Sequence, residues 1–202
     1  KSEVDVVSGI LPTGIRFGPE GALYAADWVT GWDIKNFGRV WKLDVDEKSN
    51  DLAAERAKTK SYIQMDYGKA DLSSLAGLLK YEDMRVRQKA QFELVGRGQS
   101  AELWNAISQK DNQFARIHGI WGIGQLAAKN NTIAANLVSY LSDSDVEIQA
   151  QVLKVLGDVR YKGAEKELIT ALGSPSARVQ FFAAQALGRT EAAAAIPGLL
   201  KL

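Results

Sequence analysis

Four apolar residues, Val86, Ile117, Ile148 and Val179, stand at a constant step of 31. A chain that repeats itself at such a period does not wrap one central core. Each unit is too thin to bury its own apolar face, so the units stack and share a core along their length. The same step carries Leu75, Ala106, Leu137 and Leu168. One residue further it carries Ala76, Ile107, Val138 and Ile169, and Leu156-Gly157 recurs as Leu187-Gly188. Inside a unit the apolar spacing is helical, as in Val86, Ala90, Leu94 and in Ile148, Val152, Leu156.

Each unit therefore reads as two helices: 71–80 with 85–95, 101–109 with 114–128, 132–141 with 146–157, and 164–172 with 178–188. A last first-helix, 193–202, has no partner. The joints fall at Asp83, Asp111, Asp143-Ser144 and Ser174-Pro175. Pro175 cannot continue a helix, and Asp and Ser suit caps. Tetratricopeptide and ankyrin signatures are absent. The period is shorter than the usual HEAT length of about 40–47 residues. A loop Asp followed by Val or Ile and Arg early in the second helix is nevertheless HEAT-like. The expected fold class is mainly α: a HEAT-like, right-handed α-solenoid of helix pairs over 71–202, preceded by a short antiparallel β meander.

The meander lies in 1–45. Val4–Val7 is a β-branched run, Gly14–Phe17 alternates, Gly18-Pro19-Glu20-Gly21 is a turn, and Leu23–Trp28 and Gly38–Asp44 are further strands. Ile15, Phe17, Leu23, Val40 and Leu43 supply too few core residues for an independent domain. Three tryptophans, Trp28, Trp32 and Trp41, crowd into this stretch. The expectation is an incomplete blade of a β-propeller. Residues 46–70 are charged and polar, and read as a connector with a short helix over Leu52–Ile63. The chain starts on Lys1, its first Met is Met65, and it ends part way through an apolar pattern, so it reads as a piece of a longer protein without a targeting signal of its own.

Composition removes several kinds of chemistry. Cysteine is absent, which excludes disulfides, thiolate metal sites, covalent haem attachment and thiol nucleophiles in this chain. The single histidine excludes a multi-histidine metal cage and, with GxSxG missing, a serine triad. A balance of 25 basic against 24 acidic residues gives no basic excess of the kind nucleic-acid binders carry. No run of apolar residues is long enough to span a membrane.

Three stretches together, ILPTGIRFGPEGALYAADWVTGWDIKNFGRVWKLD (10–44), DMRVRQKAQFELVGRG (83–98) and ARIHGIWGIGQLAAK (115–129), resemble one family. It is the family of large planctomycete and verrucomicrobial membrane-bound dehydrogenases, or PVC-type haem-binding CxxCH proteins. That family joins a propeller similar to glucose/sorbosone dehydrogenases to HEAT repeats and a c-type cytochrome domain. The resemblance covers 1–130; residues 131–202 match only as generic repeats. It implies an exported, periplasmic parent that oxidises a sugar or alcohol with pyrroloquinoline quinone and calcium and passes electrons to haem c. This chain has no CxxCH, so the haem function does not carry over. What the resemblance leaves here is a scaffold that sets the propeller against the haem domain. The alternative is a blade that contributes to the quinone site. Partners are then other domains of the parent or a separate protein, with no nucleic acid.

Candidate site residues follow from both readings. Asp27, Trp28, Trp32 and Asp33 flank a Gly-containing loop. They could bind a cation and stack on a sugar ring, or Asp27 could bond turn amides while the indoles pack. Arg39 either holds an anionic group or forms a surface ion pair. On the repeats, Arg85, Arg87, Arg116, His118 and Trp121 are interaction candidates. Arg85, Arg116 and Arg178 share a repeat phase that Glu147 breaks, which suggests Asp–Arg contacts between neighbouring repeats. His118 has polar equivalents in Arg87, Gln149 and Gln180, and so is expected in a solvated or interface position. Gly119, Gly122 and Gly124 sit mid-helix with no strand before them, against a nucleotide loop. Close packing, against Trp104 or the preceding blade, is expected there.

Overall fold

The computed structural model describes residues 6–29, 36–46 and 51–202. The chain divides into two compact units, Lys1–Met65 and Asp66–Leu202.

The first unit holds a three-stranded antiparallel sheet in the order β1 (Pro12–Phe17), β2 (Leu23–Asp27), β3 (Arg39–Leu43). The β1–β2 turn closes with Gly18 N–H donating to Ala22 O, and Gly21 takes φ +84°, a region that suits glycine. Register places Ile15, Ala25 and Trp41 in one row and Phe17, Leu23 and Leu43 in the next, on one face. Arg16, Tyr24 and Lys42 lie on the other. The expected core residues Ile15, Phe17 and Val40 are instead exposed; only Ala25 and Asp27 of the strands are buried. A sheet of three strands has too little of its own mass to cover them. Helix α1 (Ala53–Gln64) buries no residue of its own. Its Arg56 donates to Glu20 O at 2.8 Å and to Asp44 Oδ1 at 2.5 Å, which ties it to the turn and to the end of β3. Val6 and Val7 form no strand; Val4 and Asp5 lie outside the described residues.

The second unit opens with a 3₁₀ turn, Tyr67–Lys69, and continues as helix pairs. These are α2 (Leu72–Leu78) with α3 (Met84–Gly96), α4 (Ser100–Ser108) with α5 (Gln113–Ala127), the 3₁₀ helix Asn131–Ser142 with α6 (Val146–Asp158), and α7 (Glu165–Ala171) with α8 (Ala177–Thr190). A short α9 (Ile196–Leu199) follows. Each second helix packs on its own first helix and on the second helix of the next pair, α3 on α5, α5 on α6, α6 on α8. This is the connectivity of an α-solenoid.

The second helices begin where side chains satisfy free amides: Asp83 accepts from Arg85 N, Asn112 from Ala115 N, Asp145 from Glu147 N and Ser176 from Val179 N. Three of them end on the same left-handed turn. Gln99 N donates to Leu94 O, Tyr161 N to Leu156 O and Ala192 N to Leu187 O, with Gly98, Arg160 and Glu191 at positive φ. The 131–142 segment departs from an α-helix. Its buried residues Ala134 and Leu137 are three apart, and Ser139 and Ser142 donate to the carbonyls three residues back. Side chains that compete for backbone acceptors, together with a three-residue repeat, favour the tighter helix.

The core is one continuous row, including Leu75, Val86, Leu94, Leu103, Ile120, Leu137, Ile148, Leu156 and Leu168, all fully buried. Each such side chain stabilises the stack by about 1.5–3 kcal/mol. Ile117 departs from its repeat equivalents and is only half-buried, because α5 is turned so that Ala115, Gly119, Ile120 and Ile123 face inward. The glycines of α5 make this possible. A Cβ on Gly119 would stand 2.7 Å from Leu103 O, on Gly122 2.6 Å from Leu103 Cδ2, and on Gly124 2.8 Å from Val155 Cγ1. Leu103, Ile107 and Val155, not Trp104, are the close neighbours.

Candidate functional site

In the first unit, Asp27 is a structural clasp. Its Oδ1 accepts from Leu11 N at 3.0 Å and Val29 N at 2.9 Å, and its Oδ2 from Trp41 Nε1 at 2.9 Å. The Trp41 bond, then the two amides, hold its carboxyl below the usual range. Both oxygens are thus engaged in holding turn and indole. Trp28 is partly exposed, and the Arg39 guanidinium lies over the Trp41 ring at 5.1 Å. Trp32 and Asp33 lie outside the described residues. Among the described residues no group of three or more His, Asp or Glu side chains is placed to hold a metal ion.

In the second unit, three of the candidates, Arg87, Arg116 and His118, prove to be interior, while Arg85 and Trp121 are half-buried. Arg87 is 6% exposed, donates to Tyr81 O and Glu82 O at 2.7 Å, and lies 4.2 Å from the Phe114 ring of the next repeat. Gln149 and Gln180 make the matching bond, to Asp143 O and Leu172 O. Polar residues at this phase close the carbonyl end of the first helix, and that is why the phase did not mark solvent. In the α5 repeat the same task falls to Arg116, whose Nε donates to Ile107 O at 2.9 Å.

His118 is accordingly released from that role and is 3% exposed, against the expected solvated position. Its Nδ1 lies 2.7 Å from Gln91 Oε1. Gln91 Nε2 donates to Gln125 Oε1, so Oε1 is the acceptor and Nδ1 carries the proton. Burial, then the nearby Arg87 charge, pushes the imidazole down to about 4. The ring edge meets Trp121, whose Nε1 donates to Gln151 Oε1 at 2.8 Å. Gln151 Nε2 donates to Glu147 Oε1, and Glu147 takes two bonds from Arg178.

A polar chain thus crosses all four second helices. Ion pairs run beside it. Arg116 holds Asp143 through both oxygens with side chains 4% and 8% exposed, and Arg189 pairs with Asp158. Arg85 turns back on Asp83 in its own loop. Glu147, which breaks the basic series in the sequence, is the acceptor for Arg178 one repeat on. Sequence reasoning missed Gln91, Gln125 and Gln151. The available signal was an amide side chain beside the apolar stripe, Gln91 between Ala90 and Leu94 and Gln151 beside Val152.

Beside this chain a cleft of about 520 Å³ opens across α3, α5 and α6. Gln88, Phe92, Trp121, Gln125, Lys154 and Val155 are among its lining residues. Phe92 is 49% exposed on it, and Gly124 lets α6 approach closely enough for Val155 to line it.

Residues 134–202 match the family model for HEAT repeats. No curated protein matches the chain. Among solved structures it is similar to the complex of CpcE and CpcF of phycocyanin lyase from Nostoc sp. PCC7120, at 19% identity over 64% of this chain and 56% of that one, with a TM-score of 0.49. It is also similar to a designed armadillo repeat protein in complex with the peptide (KR)4, at 16% identity over 78% and 87% of the two chains, TM-score 0.49. An engineered protein follows at 16% identity over 77% and 80%, TM-score 0.46. The chain spans 56% of the length of the lyase-complex chain it matches. It is mainly helical, a HEAT-like solenoid preceded by a short antiparallel sheet.

Proposed function

We propose that the chain is a non-catalytic interaction scaffold whose second-helix surface holds a protein partner. The observation that carries this reading is the cleft across α3, α5 and α6, with Phe92 exposed and Trp121 half-exposed, set on helices that inter-repeat bonds hold in place. Aromatic anchors in a preformed recess supply binding energy with little ordering cost. Helical repeat arrays offer extended surfaces of this kind.

The finer reading rests on the resemblance of 10–44, 83–98 and 115–129 alone. In it the partners are domains of one exported polypeptide, and the solenoid keeps an oxidising propeller at a fixed separation from a haem domain. The test mixes the chain with a separately produced c-type haem domain and maps chemical crosslinks. Crosslinks from Lys154, which lines the cleft, are expected. Crosslinks confined to the first helices would contradict the choice of surface, and a blank result would remove the haem-domain partner. Turnover by this chain supplied with quinone, calcium and a dye acceptor would overturn the non-catalytic reading.

A further inference from the structure

Charge is not spread evenly over the repeats. The four second helices carry seven Arg and Lys residues against three Asp and Glu. Those three acids are already held: Glu93 by Arg97, Glu147 by Arg178, and Asp158 by Lys154 and Arg189 together. Lys154 and Arg189 therefore share one carboxylate, and a unit of positive charge is left over at the α6 side of the cleft. The first helices show the opposite sign, with Glu102, Glu165 and Glu167 against Lys166 alone.

The cleft itself is mostly apolar in its floor, through Val155 and Val159, with Phe92 and Trp121 as aromatic walls. Gln88 and Gln125 stand at its mouth. Gln125 Oε1 accepts from Gln91, which leaves the Gln125 Nε2 hydrogens for a carbonyl oxygen of a ligand. Amide side chains beside aromatic walls suit a peptide: the amides meet main-chain groups and the walls take a side chain. A nucleic-acid strand would ask instead for a longer cationic track with several stacking faces.

Resting on the scaffold reading, we propose that the cleft binds an acidic peptide segment that places one aromatic side chain between Phe92 and Trp121 and its flanking carboxylates against Lys154 and Arg189. The partner is thereby specified by chemistry: a protein segment with an aromatic residue inside an acidic run. Its carboxylates compete with Asp158 for cations that Asp158 alone does not neutralise.

The test uses the full chain, ¹⁵N-labelled, and follows the indole N–H resonance of Trp121, identified by its loss in Trp121→Phe. The probes are capped pentapeptides: one Phe flanked by two Glu on each side, the same peptide with Ala for Phe, and the same with Lys for Glu. An oligothymidylate is a fourth probe. The acidic Phe peptide is expected to shift the Trp121 resonance saturably. The Ala peptide should bind at least tenfold more weakly. Phe92→Ala and Lys154→Ala should each weaken the acidic Phe peptide at least threefold. Both residues are solvent-facing, so the rest of the spectrum reports an intact fold. Equal or tighter binding of the Lys peptide in the same cleft would overturn the acidic assignment while leaving the scaffold reading in place. Tighter binding of the oligothymidylate would overturn it in favour of nucleic acid. No shift with any probe would overturn the peptide cleft, and the crosslinking test would still judge the scaffold independently.

Discussion

His118 gives the sharpest quantitative prediction. It is buried with Arg87 as its charged neighbour and Gln91, Gln125 and Trp121 around it, and its folded value is about 4 against 6.5 for a free imidazole. Between those two values the unfolded chain binds a proton that the folded chain refuses. Stability therefore rises with pH across the window: the contribution is complete above pH 6.5 and is lost as pH falls towards 4. At about 1.4 kcal/mol per unit, the whole window is worth about 3 kcal/mol, and the step from pH 7 to pH 5 about 2 kcal/mol. For a chain of this size that step lowers Tm by roughly 4–8 °C.

The control is His118→Gln, whose amide can still donate to Gln91 Oε1 but does not titrate. Asp83, Asp143 and Glu147 also lie below their ordinary values, held down by Arg85, Arg116 and Arg178 respectively. Their contribution is present above the free carboxylate range and fades only as pH falls through it, mostly below pH 5. They therefore affect both proteins alike in the comparison. Denaturant melts followed by far-UV circular dichroism at pH 5, 6 and 7 should show the native chain losing about 2 kcal/mol relative to His118→Gln. Parallel profiles, or an imidazole NMR titration centred near 6.5, would refute the argument.

Further predictions follow from the joints between repeats. Arg116→Ala leaves Asp143 buried without its partner and should cost about 3–5 kcal/mol, whereas Arg116→Met with Asp143→Ala should recover much of that, measured by the same melts. Gly77→Ala meets no atom within 4 Å in α2 and should stabilise by about 0.5–1 kcal/mol. Gly119→Ala gains the same helical propensity but forces a Cβ to 2.7 Å from the Leu103 carbonyl oxygen, so it should destabilise. Glu191→Gly relieves a left-handed residue at the end of α8 and should raise stability by about 1 kcal/mol.

The repeat was legible because apolar burial at a fixed step leaves its mark on every unit: Val86, Ile148 and Val179 occupy one structural position and are all buried. The strands and the turn at Gly18–Gly21 were legible from alternation and turn chemistry. The interior polar chain was not. A glutamine or histidine has the same letter whether it faces water or bridges two helices, and only the rotation of α5, permitted by Gly119, Gly122 and Gly124, decides that His118 points inward. Arg87 and Arg116 misled for a related reason. Their guanidinium groups close helix carbonyls inside the stack, a task that charge alone does not announce. The cleft needed three helices from three repeats, so no local stretch contained it.

The central claim is that helix pairs add in one direction, each resting on the last. The chain has no cysteine, so spin labels attach only where cysteines are introduced. Lys154→Cys with Gln185→Cys spans one step, α6 to α8, and Lys89→Cys with Gln185→Cys spans three, α3 to α8. With adjacent helices about 10 Å apart, pulsed electron–electron resonance should give a three-step distance about 15–20 Å longer than the one-step distance. Equal distances for the two pairs, as a closed bundle would produce, would contradict the solenoid.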